Sequence, residues 1–250
     1  MDPERRRFPV PRLVVAAGFL LIALSTYDGR DEAEPQAEAA IVSTPSMSPA
    51  TEPTPNLPPR FDGLIRRIGP ETLARMGTSW RPGCPVALED LRSILMTHWG
   101  FAGEVEEGEL IVHRRHAAGV MKAFEALFDA RFPIERMEPA NGYMGNDPPL
   151  AQFNNTVGFN CRAPVGGGHK WSEHSYGTAV DINPDQNPYV SRSGRVEPPF
   201  GAPWVDRTLE EPGMIHPNDV VVRAFRDIGW RWGGLWSGTV DYMHFSASGR

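Results

Sequence analysis

The sequence predicts an α+β fold: a small, mainly antiparallel sheet with flanking helices. Three observations lead there. Apolar residues recur at helical spacing in several stretches, short runs rich in β-branched and aromatic residues lie between them, and the two kinds do not follow the regular strand–helix–strand order that builds a parallel sheet. No internal repeat is visible.

Leu88, Leu91, Ile94, Leu95 and Trp99 give the first helical pattern. Glu109–His113 reads as a short strand after a turn at Gly108. Val120, Met121, Phe124, Leu127 and Phe128 form a second, stronger amphipathic helix, and Pro133 stops it. Pro133–Met137, Thr156–Arg162 and Thr178–Ile182 read as strands. A third helix carries Val221, Val222, Phe225 and Ile228, with Asn218 or Asp219 as its cap and Gly229 near its end. Asp241–Ser246 reads as a closing strand.

The chain has 250 residues, room for one domain with a sizeable core or two small ones. Twenty-five Lys and Arg against 31 Asp and Glu give a net charge of −6, so the basic footprint of a nucleic-acid binder is missing. Arg5, Arg6 and Arg7 precede an apolar run from Leu13 to Leu24. That is the layout of a secretion signal, and the run is short for a membrane span, which needs about 20 residues. Residues 1–27 are therefore expected to be a signal peptide or a retained membrane anchor, with the arginines in the cytoplasm and the rest outside. Residues 28–60 are rich in Pro, Ala, Glu, Ser and Thr and poor in large apolar groups. Such a segment is expected to be a disordered, spacer-like tether. The working domain is then 61–250.

Cys84 and Cys161 are the two cysteines, with no CxxC pattern to suggest a cysteine metal site. In an oxidising compartment they would form a disulfide; otherwise they are buried thiols.

The informative segment runs from Ser172 to Asp181. His174 and Asp181 are seven apart, which in a straight strand would put them on opposite faces and roughly 23 Å from each other. To share one ion the chain must fold back, and Gly177 is where a left-handed turn is cheap. A third candidate, His244, lies 63 residues beyond Asp181 in Asp241-Tyr-Met-His244. Two imidazoles and a carboxylate suit Zn²⁺, and a ligand set of three leaves a position open for chemistry. Asp241, three residues before His244, is placed to act as a base without ligating. His98, His113, His116 and His216 have no partner in a recognisable pattern and read as surface or structural. His169, in a glycine-rich loop, reads as structural or as lining the cleft. Trp230, Trp232 and Trp236 crowd beside the last motif, either as core or with a ring lining the cleft.

Together, Ser172-x-His174-x-x-Gly177-x-Ala179-x-Asp181 and Asp241-x-x-His244 resemble the zinc D-alanyl-D-alanine carboxypeptidase family, which includes VanY-like enzymes and L-alanyl-D-glutamate endopeptidases. Asp rather than Glu before the last His resembles the endopeptidase branch. The likeness spans roughly residues 80–246, and Asn154–Arg162, Asp181–Tyr189 and Gly229–Gly234 also resemble segments of bacterial members. It implies a Hedgehog/D,D-peptidase-like zinc fold and a zinc peptidase domain over 61–250. His174, Asp181 and His244 would hold Zn²⁺, and Asp241 would be the general base. Arg162 would hold the substrate's carbonyl or carboxylate, or else make a structural ion pair. Ser172 would bind substrate or orient its loop, and Trp236 would line the cleft. The implied substrate is a peptidoglycan stem peptide, cut by an endopeptidase or trimmed by a D-alanyl-D-alanine carboxypeptidase, by a monomer outside the cytoplasm. A zinc-stabilised binding module without catalysis is the reading from another class. Asp241 argues against it, because a mere binder needs no base.

Overall fold

A computed structural model describes residues 58–141, 154–162 and 171–250. The expected signal or anchor at 1–27, nearly all of the linker and His169 lie outside the described residues. No helix among the described residues is long and apolar enough to cross a membrane.

Strand β1 (Gly63–Arg67) leads into helix α1 (Pro70–Met76), followed by β2 (Leu91–Trp99) and β3 (Val105–His113). The three strands form one antiparallel sheet with β2 in the centre. The first helix expected from the sequence is thus a strand. Its residues show why: Leu91, Ser93, Ile94, Met96, His98 and Trp99 are all buried, on both faces. A central strand covered on both sides loses the alternation that marks strands, and its apolar residues fall at helical spacing by coincidence. Gly108 is no turn either. It sits inside β3, opposite Met96, where a Cβ would come within 2.5 Å of Met137 Cε. The hairpin bends instead at Gly100–Glu104, closed by Gly100 N–H on the Glu104 carbonyl.

Helix α2 (Ala117–Asp129) buries Val120, Ala123, Phe124, Leu127 and Phe128 against this sheet, as its spacing predicts. Short strands β4 (Arg136–Met137) and β5 (Asn155–Thr156) then pair in parallel, the exception to the antiparallel rule. Next come β6 (Ala179–Asp181), β7 (Tyr189–Val190), β8 (Val196–Glu197), helix α3 (Val220–Asp227), β9 (Arg231–Trp232), β10 (Val240–Asp241) and β11 (His244–Ser246). They form two further three-stranded antiparallel sheets, in orders β6-β11-β9 and β10-β7-β8. The architecture is α+β, built from several small sheets rather than one. Asp219 caps α3, its carboxylate accepting from Val222 N at 2.9 Å.

One core joins these pieces. Phe124 of α2 meets Phe225 of α3 edge-on at 6.0 Å, and Phe225 stacks on Phe245 of β11 at 4.4 Å. Trp230 and Trp232 are buried in the same core. A smaller cluster of Met76, Val86, Leu91, Ile111 and Phe159 surrounds Cys161. Cys161 forms a disulfide with Cys84 across 77 positions of sequence.

Candidate metal centre and catalytic site

Strands β6 and β11 build the site. Their register pairs His244 with Asp181, Phe245 with Val180 and Ser246 with Ala179. Side chains alternate across a strand, so Val180 and Phe245 enter the core while Asp181 and His244 share the other face as direct neighbours.

His174 reaches them through the fold-back expected from the sequence. Ser172 caps a short 3-10 turn, Glu173–Tyr176, its hydroxyl accepting from His174 N at 3.3 Å. Gly177 then takes the left-handed conformation, φ 66°. Its carbonyl accepts from His113 N at 2.9 Å, so the turn lies flat on β3. A Cβ there would stand 2.5 Å from His113 N. Glycine is needed twice over, for its angle and for its missing side chain.

His174 Nε2 lies 3.3 Å from His244 Nδ1 and 3.0 Å from Asp181 Oδ2, and His244 Nδ1 lies 2.9 Å from Asp181 Oδ1. All three residues are buried. Among the described residues they are the group of His, Cys, Asp and Glu whose donor atoms converge closely enough to hold a metal ion.

The outward ring nitrogens test that fit. His174 Nδ1 meets the Gly158 carbonyl at 2.6 Å, and His244 Nε2 meets the main-chain oxygen of Arg250 at 3.0 Å. Both oxygens accept here, so each outward nitrogen carries a hydrogen. With the rings neutral, as metal ligands must be, both inward nitrogens present lone pairs to one another and to a carboxylate, an arrangement that calls for a metal ion or a proton among them. A tetrahedral ion with metal–nitrogen bonds of about 2.0–2.1 Å separates its ligand atoms by about 3.3 Å. The 3.3 Å between the two imidazole nitrogens matches; the carboxylate lies somewhat closer, at 3.0 and 2.9 Å. The electrostatics agree: burial alone would depress the His244 imidazole, but the hydrogen bond and charge of Asp181 outweigh it and raise it to about 9. Burial likewise opposes ionisation of Asp181, yet the two histidines hold its carboxyl well below the usual range. The pocket calls for positive charge.

Asp241 stands beside this group at the end of β10. Its Oδ1 is buried and has no hydrogen-bond partner. Burial pushes the carboxyl up to about 7; Asp181 adds to this, and His244 and Arg162 oppose it. Arg162 is therefore near enough to act on Asp241 through its charge. Ser175, fully buried, fixes the Arg162 backbone: its hydroxyl accepts from Arg162 N at 2.9 Å and also lies 2.8 Å from the Arg162 carbonyl. The adjacent disulfide and Arg81, which donates to the Cys161 carbonyl at 2.9 Å, hold the same segment from the other side. Trp236 is half-buried, its ring centroid 5.5 Å from that of His244.

His98 is buried in β2, His113 and His116 stack edge-on near the start of α2, and His216 precedes α3. None joins the candidate ligand group. Sequence reading missed the groups that hold the site in place. Ser175 and the Gly158 carbonyl are two. Asn187 is another, fully buried after Asp181 and donating to the Gly213 carbonyl. Asn183, equally buried and donating to the same carbonyl, belongs to Asn183-Pro184, which the sequence marks as a turn shaping the surroundings of Asp181. Main-chain acceptors leave no mark in a sequence.

No curated protein and no solved structure matches the chain. A family model described as D-alanyl-D-alanine carboxypeptidase matches residues 166–247. The chain is similar to that peptidase family over the stretch that carries His174, Asp181, Asp241 and His244.

Proposed function

We propose that the chain is a zinc-dependent peptidase that hydrolyses a peptide bond in peptidoglycan stem peptides, outside the cytoplasm. The observation that carries this reading is the convergence of two imidazole nitrogens and a carboxylate beside the unpartnered Asp241 oxygen. When bound, Zn²⁺ would supply Lewis acidity, polarising a carbonyl and acidifying water. His174, Asp181 and His244 would hold it. Asp241 then takes the proton of the attacking water on its free Oδ1 and delivers it to the departing amine. Burial of that carboxyl favours the proton it has to take up. Arg162 holds the scissile carbonyl, or a terminal carboxylate, by its planar fork of donors.

Two bonds compete as the target. Asp241 in place of Glu favours an endopeptidase, with the L-Ala–D-Glu bond as its target. The family model's description favours removal of a terminal D-Ala, where Arg162 would bind the free carboxylate. Purified protein incubated with defined muropeptides, with and without a chelator, tests both. Product masses identify the bond. Zinc binding without turnover on any stem peptide refutes catalysis and leaves a binding module.

A further inference from the structure

Each histidine of the cluster must aim one ring nitrogen inward, so something outside must hold the other. For His174 the holder is Gly158, whose neighbour Phe159 hydrogen-bonds to Ile111 of β3. For His244 it is the main-chain oxygen of Arg250. That oxygen is itself held. Ser246 Oγ donates to it at 2.8 Å, and Ser246 is fully buried. Gly249 N–H donates to the Ser246 carbonyl at 3.3 Å, which closes a turn around Gly249 in its left-handed conformation, φ 78°. Trp236 Nε1 donates to the Gly249 carbonyl at 2.9 Å while its ring lies against His244. Three hydrogen bonds, from Ser246 Oγ, Gly249 N–H and Trp236 Nε1, thus hold a turn whose Arg250 oxygen meets the outward nitrogen of the His244 ring.

We infer that the Ser246–Arg250 turn, clamped by Trp236, is a positioning element for His244. It fixes the tautomer in which Nδ1 faces Asp181 and His174, and it stops the ring from swinging out of the cluster. The inference rests on the metal-centre reading. It gives Trp236 a duty separate from any contact with substrate.

The test uses Trp236→Phe, Ser246→Ala and Gly249→Val in the full chain. Trp236→Phe keeps an aromatic ring and loses the N–H. Ser246→Ala loses one hydroxyl. Gly249→Val opens the turn, since a branched residue resists positive φ. Zn²⁺ affinity is measured by competition with a chromophoric chelator, the coordination by the visible absorption of the Co²⁺ form, and the fold by melting of the metal-free chain. Expected is a roughly 10–100-fold loss of affinity in each variant with an altered Co²⁺ spectrum. Metal-free melting of Trp236→Phe and Ser246→Ala should stay near the parent's. Affinities equal to the parent's overturn the inference. So does a loss of affinity that only tracks lost stability, with the Co²⁺ spectrum unchanged. If the parent binds neither Zn²⁺ nor Co²⁺, the metal-centre reading fails before any variant is compared, and this inference falls with it. Absence of peptidase activity in a parent that binds metal refutes only the proposed reaction.

Discussion

Replacing Gly177 with Ala tests whether the fold-back delivers His174. Two costs add. Left-handed backbone at φ 66° costs a non-glycine residue roughly 1–2 kcal/mol. The new Cβ would also stand 2.5 Å from His113 N and 3.1 Å from the Val112 carbonyl carbon, both backbone atoms of β3 that cannot swing aside. The turn must therefore lift, and the His113–Gly177 hydrogen bond, worth about 0.5–1.5 kcal/mol, is lost or stretched. Together these predict a loss of about 1.5–3.5 kcal/mol, or roughly 3–14 °C in melting temperature for a domain of this size. Gly229 supplies the control. It too has positive φ, 84°, but a Cβ there would meet nothing within 4 Å, so Gly229→Ala should cost only the conformational part, about 1–2 kcal/mol. Denaturant unfolding of the metal-free proteins gives the stabilities, and chelator competition gives the Zn²⁺ affinity. Gly177→Ala should weaken metal binding, because His174 sits three residues before the lifted turn; Gly229→Ala should not. Equal losses of stability in the two variants, or unchanged affinity in Gly177→Ala, would refute the reasoning.

Asp241→Asn should lower turnover on a muropeptide roughly 10²–10⁴-fold while zinc content stays at the parent's level, read by metal analysis beside the rate. Reducing the Cys84–Cys161 disulfide should cost about 2–5 kcal/mol, measured by melting with and without a dithiol. Burial pushes the His98 imidazole below its ordinary value of 6.5. The unfolded chain therefore takes up that proton first as pH falls, and stability drops from about pH 6.5 down to the folded value. His98→Gln should flatten this acid slope in unfolding midpoints. It should not abolish it, since His113 and His116 are shifted in the same direction by burial.

Helix α2 and the cap of α3 were legible because each is amphipathic on one face and signalled by local residues. Strand β2 was not, because burial on both faces erased its alternation. Gly108 misled for a related reason: its small size serves a distant contact with Met137, and a sequence shows only that glycine is there. The convergence of His174, Asp181 and His244 was legible because these side chains are chemically distinctive and Gly177 marks the fold-back between two of them. Asp241–Ser246, read as one strand, is two, β10 and β11, interrupted at Tyr242 and Met243. That break sends Asp241 to one sheet and His244 to another, so the two side chains reach the site from different sheets.

The pairing of β6 with β11 acts as a proofreading device. Along this ribbon the greasy and the ligating side chains take turns, Val180 and Phe245 inward, Asp181 and His244 outward. Slipping either strand by one residue would thrust a charge among the aromatic rings and strand a phenylalanine in the cleft. A misthreaded molecule therefore loses its oil and its chelate together. Only the correctly zipped chain brings Asp181 and His244 side by side, so the cluster cannot assemble until the last strand has found its partner.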